Sequence, residues 1–254
     1  MKPRIPDKIF GEPIEGAMER RFPKDNSNPV IDPVVPDINS KNIITDHPDF
    51  WTIHNINYNN QLYSTHLLKT LLDNGNSKTQ EDWSIYTKNN QFGVADLPFY
   101  FALFNTLYQN KNNPLAEPIK QFINKQMLEK WLMTLTRIEY NSNGSDKIIY
   151  NYNLTNQSEK QLNIVEPDNF ILQLNEPNTL EALVGCNNIQ NINDVFKWIT
   201  GKNTYLWRVN NKPSKKNIRV VGFGAGSGRA YLGCDGDPRD ASGALGVYTC
   251  AEGA

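Results

Sequence analysis

Hydrophobic and polar positions along this chain follow two periods, helical in the first half and strand-like in the second. Between residues 46 and about 133, apolar side chains recur every three or four positions, as in a helix that buries one face. Asp96 occupies a capping position, Pro98 falls in the turn after it, and the next residues are apolar nearly all round. We therefore predict a buried central helix there. Three further helices are predicted in NNQLYSTHLLKTLLDNG, SKTQEDWSIYTKNN and PLAEPIKQFINKQMLEKWLMTL.

After residue 133 the pattern alternates. TLTRIEY and KIIYNYNL, separated by the turn residues NSNGSD, predict a hairpin. Short helices are predicted near 177–184 and 191–200, followed by the strands TYLWRVN, IRVVGF, AYLGC and LGVYTC. Because no helix separates these last strands, they favour an antiparallel sheet. The predicted fold class is α+β: residues 46–254 form a single domain whose helical N-terminal half packs with an antiparallel sheet, with short Gly/Pro/Asp-rich loops at the C-terminus.

The first 45 residues are rich in proline, as in NPVIDPVVPDINSKN. Proline lacks a backbone donor and restricts the residue before it, so regular structure is not expected. Apolar pairs between the prolines predict an extended arm that lies on this chain or on a neighbour, and a disordered tail is the alternative. The arm leaves open a structural or assembly subunit that docks through it.

Composition and charge narrow the classes of partner. The 254 residues carry a formal net charge of −1, which gives no general attraction to nucleic acid or anionic membranes. No apolar run is long enough to span a bilayer, and the N-terminal sequence lacks the apolar centre of a secretory signal. We therefore expect neither nucleic-acid binding nor membrane insertion. The expected location is the cytoplasm, or a virion or cell surface reached by a non-standard route.

Candidate metal ligands and reactive side chains are few. The three cysteines, Cys186, Cys234 and Cys250, are an odd number at wide spacing without a C-x-x-C pair. Buried free thiols are the favoured interpretation, and a Cys234–Cys250 disulfide is the alternative. The three histidines, all between residues 47 and 66, lack the spacing that places two ligands on one helix face. The sequence predicts no metal site and no cofactor.

The glycine-rich stretch Gly222–Gly228 follows a predicted strand, as phosphate-binding loops do. A dinucleotide-binding loop requires G-x-G-x-x-G/A followed by a helix, but the third position here is Ser227 or Arg229, and no helix is predicted after it. Ser227 also lacks the G-x-S-x-G context of a hydrolase nucleophile. An enzyme that binds a nucleotide or small molecule through this loop is therefore the alternative hypothesis, and no catalytic residue is assigned.

Composition changes abruptly near residue 217. Residues 1–217 contain 34 Asn, 18 Lys and 10 Gln, whereas residues 218–254 contain none, and nine of the 16 glycines follow residue 217. A glycine-rich cap explains the added glycine but not the loss of Asn, itself a favoured turn residue. Random replacement of both adenines in Asn codons usually removes Asn; the products include Gly, Asp, Ala, Ser, Tyr, Arg and Cys and never include Lys, Glu, Gln, Met or Trp. This change in composition is the pattern that such mutagenesis leaves.

The segments LWRVN, RVVGF, SGRAYLGC and LGV resemble the C-terminus of the variable proteins of diversity-generating retroelements. These proteins have a C-type-lectin fold related to that of formylglycine-generating enzymes. The resemblance covers residues 204–250 well and 46–200 loosely, and it departs from the family where Tyr248, not Arg, follows Leu245-Gly246-Val247. It implies a non-enzymatic protein whose C-type-lectin-like variable region, at about 204–254, recognises a macromolecular ligand, most simply a protein. Reverse transcription rewrites the surface residues of that region.

The resemblance divides the C-terminal residues into two sets. The scaffold set holds the strands: Val220, Phe223, Ala230, Leu232, Leu245 and Val247. The displayed set would contact the ligand: Gly224, Gly226, Gly228, Tyr231, Gly233, Asp235, Gly236, Asp237, Arg239, Asp240, Ala241, Gly243 and Tyr248. Because binding surfaces favour Tyr and Arg as anchors, only Tyr231, Arg239, Tyr248 and Arg229 are expected to contribute strongly. So much glycine predicts a weak binder or a small, concave epitope.

Overall fold

The computed structural model describes residues 43–251. The predicted arm over residues 1–45 lies outside them, except for its last three residues. The chain forms two sheets with five helices in this described part, so the fold class is α+β. The helices are α1 (Gln80–Asn89), α2 (Leu97–Gln109), α3 (Ala116–Glu129), α4 (Pro177–Val184) and α5 (Ile189–Thr200). No helix among residues 43–251 is long and apolar enough to cross a membrane.

The first sheet joins both ends of the described chain. Its strand order is β1 (Ile44–Asp46), β2 (Phe50–Tyr58), β3 (Gln61–Leu71) and β11 (Leu245–Ala251). All neighbouring strands in it are antiparallel. The C-terminal strand therefore closes onto a hairpin formed near residue 60.

The predicted helix over NNQLYSTHLLKTLLDNG is wrong, because most of this segment is strand β3. Asn59 and Asn60 have φ angles of 52° and 61°, the left-handed values that a two-residue hairpin turn needs at both positions. β3 is then paired on both sides, by β2 and by β11. Pairing with distant chain outweighs the helical spacing of its leucines, and the N-terminal half is not helical throughout.

The other predicted helices are present, but α3 ends at Glu129, so Trp131 lies outside it and the last residues of its predicted segment belong to the strand Leu132–Tyr140. Thr79 caps α1 by accepting a hydrogen bond from the Asp82 N–H at 3.2 Å. The Asp96 carboxylate caps α2 by accepting one from the Phe99 N–H at 2.9 Å. α2 is buried along most of its length, as its apolar composition predicts.

The second sheet has seven strands. Their order is β6 (Ser158–Leu162), β5 (Asp146–Tyr150), β4 (Leu132–Tyr140), β9 (Asn217–Ala225), β10 (Ala230–Gly236), β8 (Thr204–Trp207) and β7 (Asn169–Phe170). The predicted hairpin is β4–β5. The sheet is not wholly antiparallel as predicted, because β8 runs parallel to β10. β10 already pairs with β9 through a tight turn, so the preceding strand β8 lies on its free side.

The core lies between the helices and the inner face of this large sheet. Phe223 of β9 packs on Tyr100 and Phe104 of α2, with ring centroids 5.5 and 5.4 Å apart. Phe104 also contacts Phe196 of α5 at 6.2 Å. The Tyr100 hydroxyl donates a 2.7 Å hydrogen bond to the Leu245 carbonyl, which ties α2 to β11. The helices therefore bury one side of β9 and its neighbours.

Candidate functional site

The outer side of β7, β8, β10 and β9 carries a row of aromatic rings. Side chains alternate along these strands: Leu206, Leu232 and Phe223 point into the core and are fully buried. Tyr205, beside Leu206 in β8, is half-buried and pairs with Tyr231 of β10 in the parallel register. We call this surface the aromatic face; its aromatic residues are Phe170, Tyr205, Trp207, Tyr231 and Trp131, all half-buried.

The rings on β7 and β8 contact one another. The centroids of Tyr205 and Trp207 are 4.8 Å apart, and Phe170 meets Tyr205 edge to face at 5.1 Å. Tyrosine and tryptophan combine a large apolar area with a polar group, which suits them to surfaces that contact both apolar and polar parts of a partner. These rings give the surface an exposed apolar area that the glycine-rich tail itself lacks.

Trp131, which precedes β4, packs against Gly222, Gly233 and Gly236, and we call these three residues the glycine floor. A Cβ atom would stand 2.5 Å from the Trp131 ring at Gly222, 2.8 Å from its Nε1 at Gly233 and 2.9 Å from the ring at Gly236. At Gly224 it would lie 2.7 Å from the Tyr231 hydroxyl oxygen. All four distances are shorter than a carbon contact allows. The glycines therefore seat the aromatic rings, a role that depends on neighbouring strands and is not visible in the sequence.

Arg229 lies at the turn end of the aromatic face. Its guanidinium carbon is 4.5 Å from the centroid of Tyr205 and 5.3 Å from that of Trp207, within cation–π range. The β9–β10 turn is closed by a 2.9 Å hydrogen bond from the Gly226 N–H to the Arg229 carbonyl. Lys202 also donates to the Gly226 carbonyl. This end of the face is therefore positively charged.

The opposite end leads into an acidic loop between β10 and β11. Asp235 is exposed at the end of β10. In the loop, the Arg239 guanidinium donates two hydrogen bonds to the Asp237 carboxylate, of 3.0 and 2.7 Å. These bonds hold the pKa of Asp237 well below its usual range. Arg239 is exposed as expected, but its charge is already paired.

The structure distributes the predicted displayed residues over four places. Gly224, Tyr231, Gly233, Asp235 and Gly236 belong to the aromatic face, and Gly226 and Gly228 to the turn beside it. The β10–β11 loop contains Asp237, Arg239, Asp240, Ala241 and Gly243. Tyr248 lies in β11 of the other sheet, stacked on His66 at 5.7 Å. Most of the set is therefore contiguous, and Tyr248 is separate from it.

Three of the displayed positions are buried, and this corrects the prediction for them. Gly224 lies under Tyr231, and Gly233 under Trp131, as described above. A Cβ at Gly243 would lie 3.1 Å from the Lys130 side chain and 3.3 Å from that of Leu71. These positions are covered because nearby side chains occupy the space that glycine leaves.

The residues assigned to the scaffold lie in the core. Val220, Phe223, Ala230, Leu232 and Leu245 are 0% exposed and Val247 is 5% exposed. The sequence reasoning did not identify Phe170, Tyr205, Trp207 and Trp131 as site residues. The spacing of Tyr205 and Trp207, two apart in a predicted strand, is the signal that would have placed them on one face.

Other kinds of site have less support in the geometry. Gly222–Ala225 belong to strand β9, and the turn after it leads into β10, so the predicted loop is not followed directly by a helix that could bind a phosphate at its N-terminus. Among residues 43–251, no group of three or more His, Cys, Asp or Glu is placed to hold a metal ion. Cys234 is a buried free thiol whose pKa is raised by burial, which disfavours the reactive thiolate. Cys186 is also free and half-buried.

A cleft of about 600 Å³ lies elsewhere, between the β2–β3 turn and helices α2 and α4. The residues that line it fall between Asn55 and Cys186 in the sequence, so none belongs to the C-terminal region from residue 204 onward. No residue of the aromatic face lines this cleft. No protein-family model, curated protein or solved structure matches this chain.

Proposed function

We propose that this chain is a non-enzymatic binding protein that recognises a macromolecular ligand, most simply another protein, through the aromatic face and the adjoining β10–β11 loop. We further propose that retroelement mutagenesis directed at adenines rewrites the surface residues of this region. On this proposal the domain is C-type-lectin-like, which the pairing of β11 with β3 supports.

One observation carries the proposal: the part of the chain without Asn, Lys and Gln supplies β9, β10, the turn between them and the β10–β11 loop, which adjoin the aromatic rings from earlier in the chain. Residues 218–251 form β9, β10, β11 and the loops between them. Within that part, large apolar residues point inward, while outward and loop positions hold Gly, Asp, Tyr, Arg and Ala. The glycine floor under Trp131 explains why glycine is needed at some positions of this region. It does not explain the complete absence of Asn.

The interior and the surface of this region are therefore expected to tolerate change very differently. A core residue such as Phe223 costs about 3–5 kcal/mol when truncated, whereas exposed loop positions usually change stability by less than about 0.5 kcal/mol. A surface can be rewritten repeatedly only when the core that supports it is left unchanged. The division seen here meets that condition.

The decisive experiment compares many genomic copies of this gene and the DNA beside it. We expect a reverse-transcriptase gene, a near-copy of the tail that serves as template, and differences confined to template adenines after about codon 217. Those differences should fall at outward and loop codons such as Asp235 and Asp240, and spare the codons of Phe223 and Leu232. Differences spread evenly along the gene, or enriched at core codons, would contradict the proposal.

A protein-level experiment provides a matched control. One display library randomises Gly226, Gly228 and Asp240, and a second randomises Val220, Phe223 and Leu232, each with the same mixture of codons. Resistance to a protease reports the folded fraction of each library. We expect most members of the first library and few of the second to fold, and equal folded fractions would count against a rewritable surface.

A further inference from the structure

Arg229 is held in place by aromatic rings while its hydrogen-bond donors remain unused. Its guanidinium carbon lies within cation–π distance of Tyr205 and Trp207, and the residue is half-buried. Within residues 43–251 it makes neither a hydrogen bond nor an ion pair, in contrast to Arg239, which is paired with Asp237. A half-buried charge loses part of its hydration without receiving a partner in return. The position therefore favours a ligand that brings an acceptor.

The geometry of the guanidinium favours an acceptor with two oxygens. Its N–H groups lie in one plane and form a rigid fork that matches two oxygens of a carboxylate or of a phosphate. The rings also restrict the side chain before binding, so less conformational entropy is lost when the ligand arrives. Lysine, a compact charge on a flexible stem, would not reproduce this geometry.

The charges around the aromatic face favour a ligand with a single carboxylate over a polyanion such as a nucleic acid. Arg229 and Lys202 mark the positive end, and Asp235 stands six residues beyond Arg229, which is about 20 Å along an extended strand. The loop that follows adds Asp240. A nucleic acid carries a phosphate at every nucleotide, so a strand along the face would place phosphates against these carboxylates. A protein surface can present one acidic group to Arg229 and other groups elsewhere.

We propose that Arg229 binds a carboxylate of a protein ligand, so that this copy of the protein recognises an acidic side chain or a free C-terminus seated beside Tyr205 and Trp207. The inference rests on the proposed function, because it takes the aromatic face as the recognition surface. It adds the chemical class of the group recognised and the residue that recognises it.

The test is a selection of random peptides displayed on phage against the full chain. We expect the selected peptides to be enriched in Asp or Glu, or to require a free C-terminus. Synthetic copies of the best peptides, with Asn or Gln in place of the acid or with an amidated C-terminus, distinguish the two sources of the carboxylate. The loss of that carboxylate should weaken binding by about 10- to 100-fold, as for a hydrogen-bonded charge pair.

Variants of the protein test whether Arg229 is the residue that binds the carboxylate. Arg229→Ala should weaken binding of the acidic peptide by the same factor and leave its amide copy unaffected, and Arg229→Lys should restore only part of the loss. Lys125→Ala is the control, because it removes an equal charge that is already paired with Glu129 on α3, outside the aromatic face and the β10–β11 loop, and it should change affinity by less than about threefold. Equal affinity of the acidic peptide for Arg229→Ala and the unaltered chain would overturn the inference.

Two further variants separate this inference from the proposed function. If Trp207→Ala or Tyr231→Ala abolishes peptide binding while Arg229→Ala does not, the aromatic face is a recognition surface and only the carboxylate inference fails. If no selected peptide depends on Trp207, Tyr231 or Arg229, both the inference and the proposed function fail. Circular dichroism of each variant confirms that its fold is retained before affinities are compared.

Discussion

The packing of Trp131 against the glycine floor can be tested by a pair of matched substitutions. Replacing Gly233 with Ala would place a Cβ 2.8 Å from the Trp131 Nε1, whereas at Gly226 nothing lies within 4 Å of the same atom. Gly226 is not among the glycines with positive φ, so an alanine there is unstrained. The two substitutions add the same methyl group to nearby positions of the β9–β10 hairpin, and they differ in whether an aromatic ring is in the way.

The two substitutions are expected to change the free energy of unfolding in opposite directions. The Trp131 ring must move outward by roughly 1 Å to reach normal contact distance, and overpacking of this kind costs about 1–3 kcal/mol. Trp131 is only half-buried and can move, so the lower part of that range applies. Gly→Ala at a compatible position stabilises by about 0.4–1 kcal/mol through the unfolded chain. We therefore expect Gly233→Ala to lower the free energy of unfolding by about 1 kcal/mol and Gly226→Ala to raise it slightly.

Thermal denaturation followed by far-ultraviolet circular dichroism measures both changes. The two variants should differ in Tm by roughly 3–8 °C, given about 2–4 °C per kcal/mol for a domain of this size. Repeating Gly233→Ala in a Trp131→Ala background isolates the contact, since the cost should vanish once the ring is removed. If Gly233→Ala costs as much without Trp131 as with it, the glycine floor does not act as described.

Three further predictions test other parts of the fold. Glu176→Gln should destabilise by about 3 kcal/mol by thermal unfolding, because the Arg208 side chain paired with it is 0% exposed, while Glu129→Gln at an exposed pair should cost less than about 0.5 kcal/mol. Tyr100→Phe leaves the Leu245 carbonyl without its donor and should cost about 1–3 kcal/mol in urea denaturation. Burial raises the pKa of Asp96 from 3.8 to about 6, so the folded chain keeps this proton after the unfolded chain has lost it, and stability should fall as pH rises through that interval. Asp96→Asn retains a helix cap and should remove up to about 3 kcal/mol of this fall, and denaturation at stepped pH would show a parallel decline in both proteins if the reasoning is wrong.

Elements whose causes are local could be predicted from the sequence. Helix α2 carries its own cap at Asp96 and enough apolar residues to be buried whatever surrounds it. Strand β3 could not be predicted, because its leucines have helical spacing and its pairing partner β11 lies more than 170 residues away. The local signal that was available is the pair Asn59-Asn60, whose turn forces the chain back along β2.

The candidate site shows the same limit. The division of β10 into inward and outward residues was visible, since it depends on the period of a strand, whereas residues 220–225 of β9 are all buried. The position of Trp131 was not, because it packs on strands that follow it by about 90 residues. The parallel pairing of β8 with β10 likewise brought Tyr205 and Trp207 beside the tail, where no sequence pattern placed them.

The fixed aromatic rings change what the glycines of the tail mean for binding. Trp131, Tyr205 and Trp207 precede residue 217, so on the proposed function no round of mutagenesis alters them, and every copy presents the same apolar base. In this copy, glycine at 233 and 236 lets Trp131 lie flat on the sheet, whereas a larger residue at either position must lift the ring toward the ligand. A single rewritten codon then alters both its own side chain and the position of a large constant one. On the proposed function, the contact area comes from the rings that do not vary, and the specificity comes from rewritten positions such as Tyr231 and from Arg229 beside them. A tail rich in glycine is therefore compatible with substantial binding, because the tail shapes a surface whose largest side chains lie outside it.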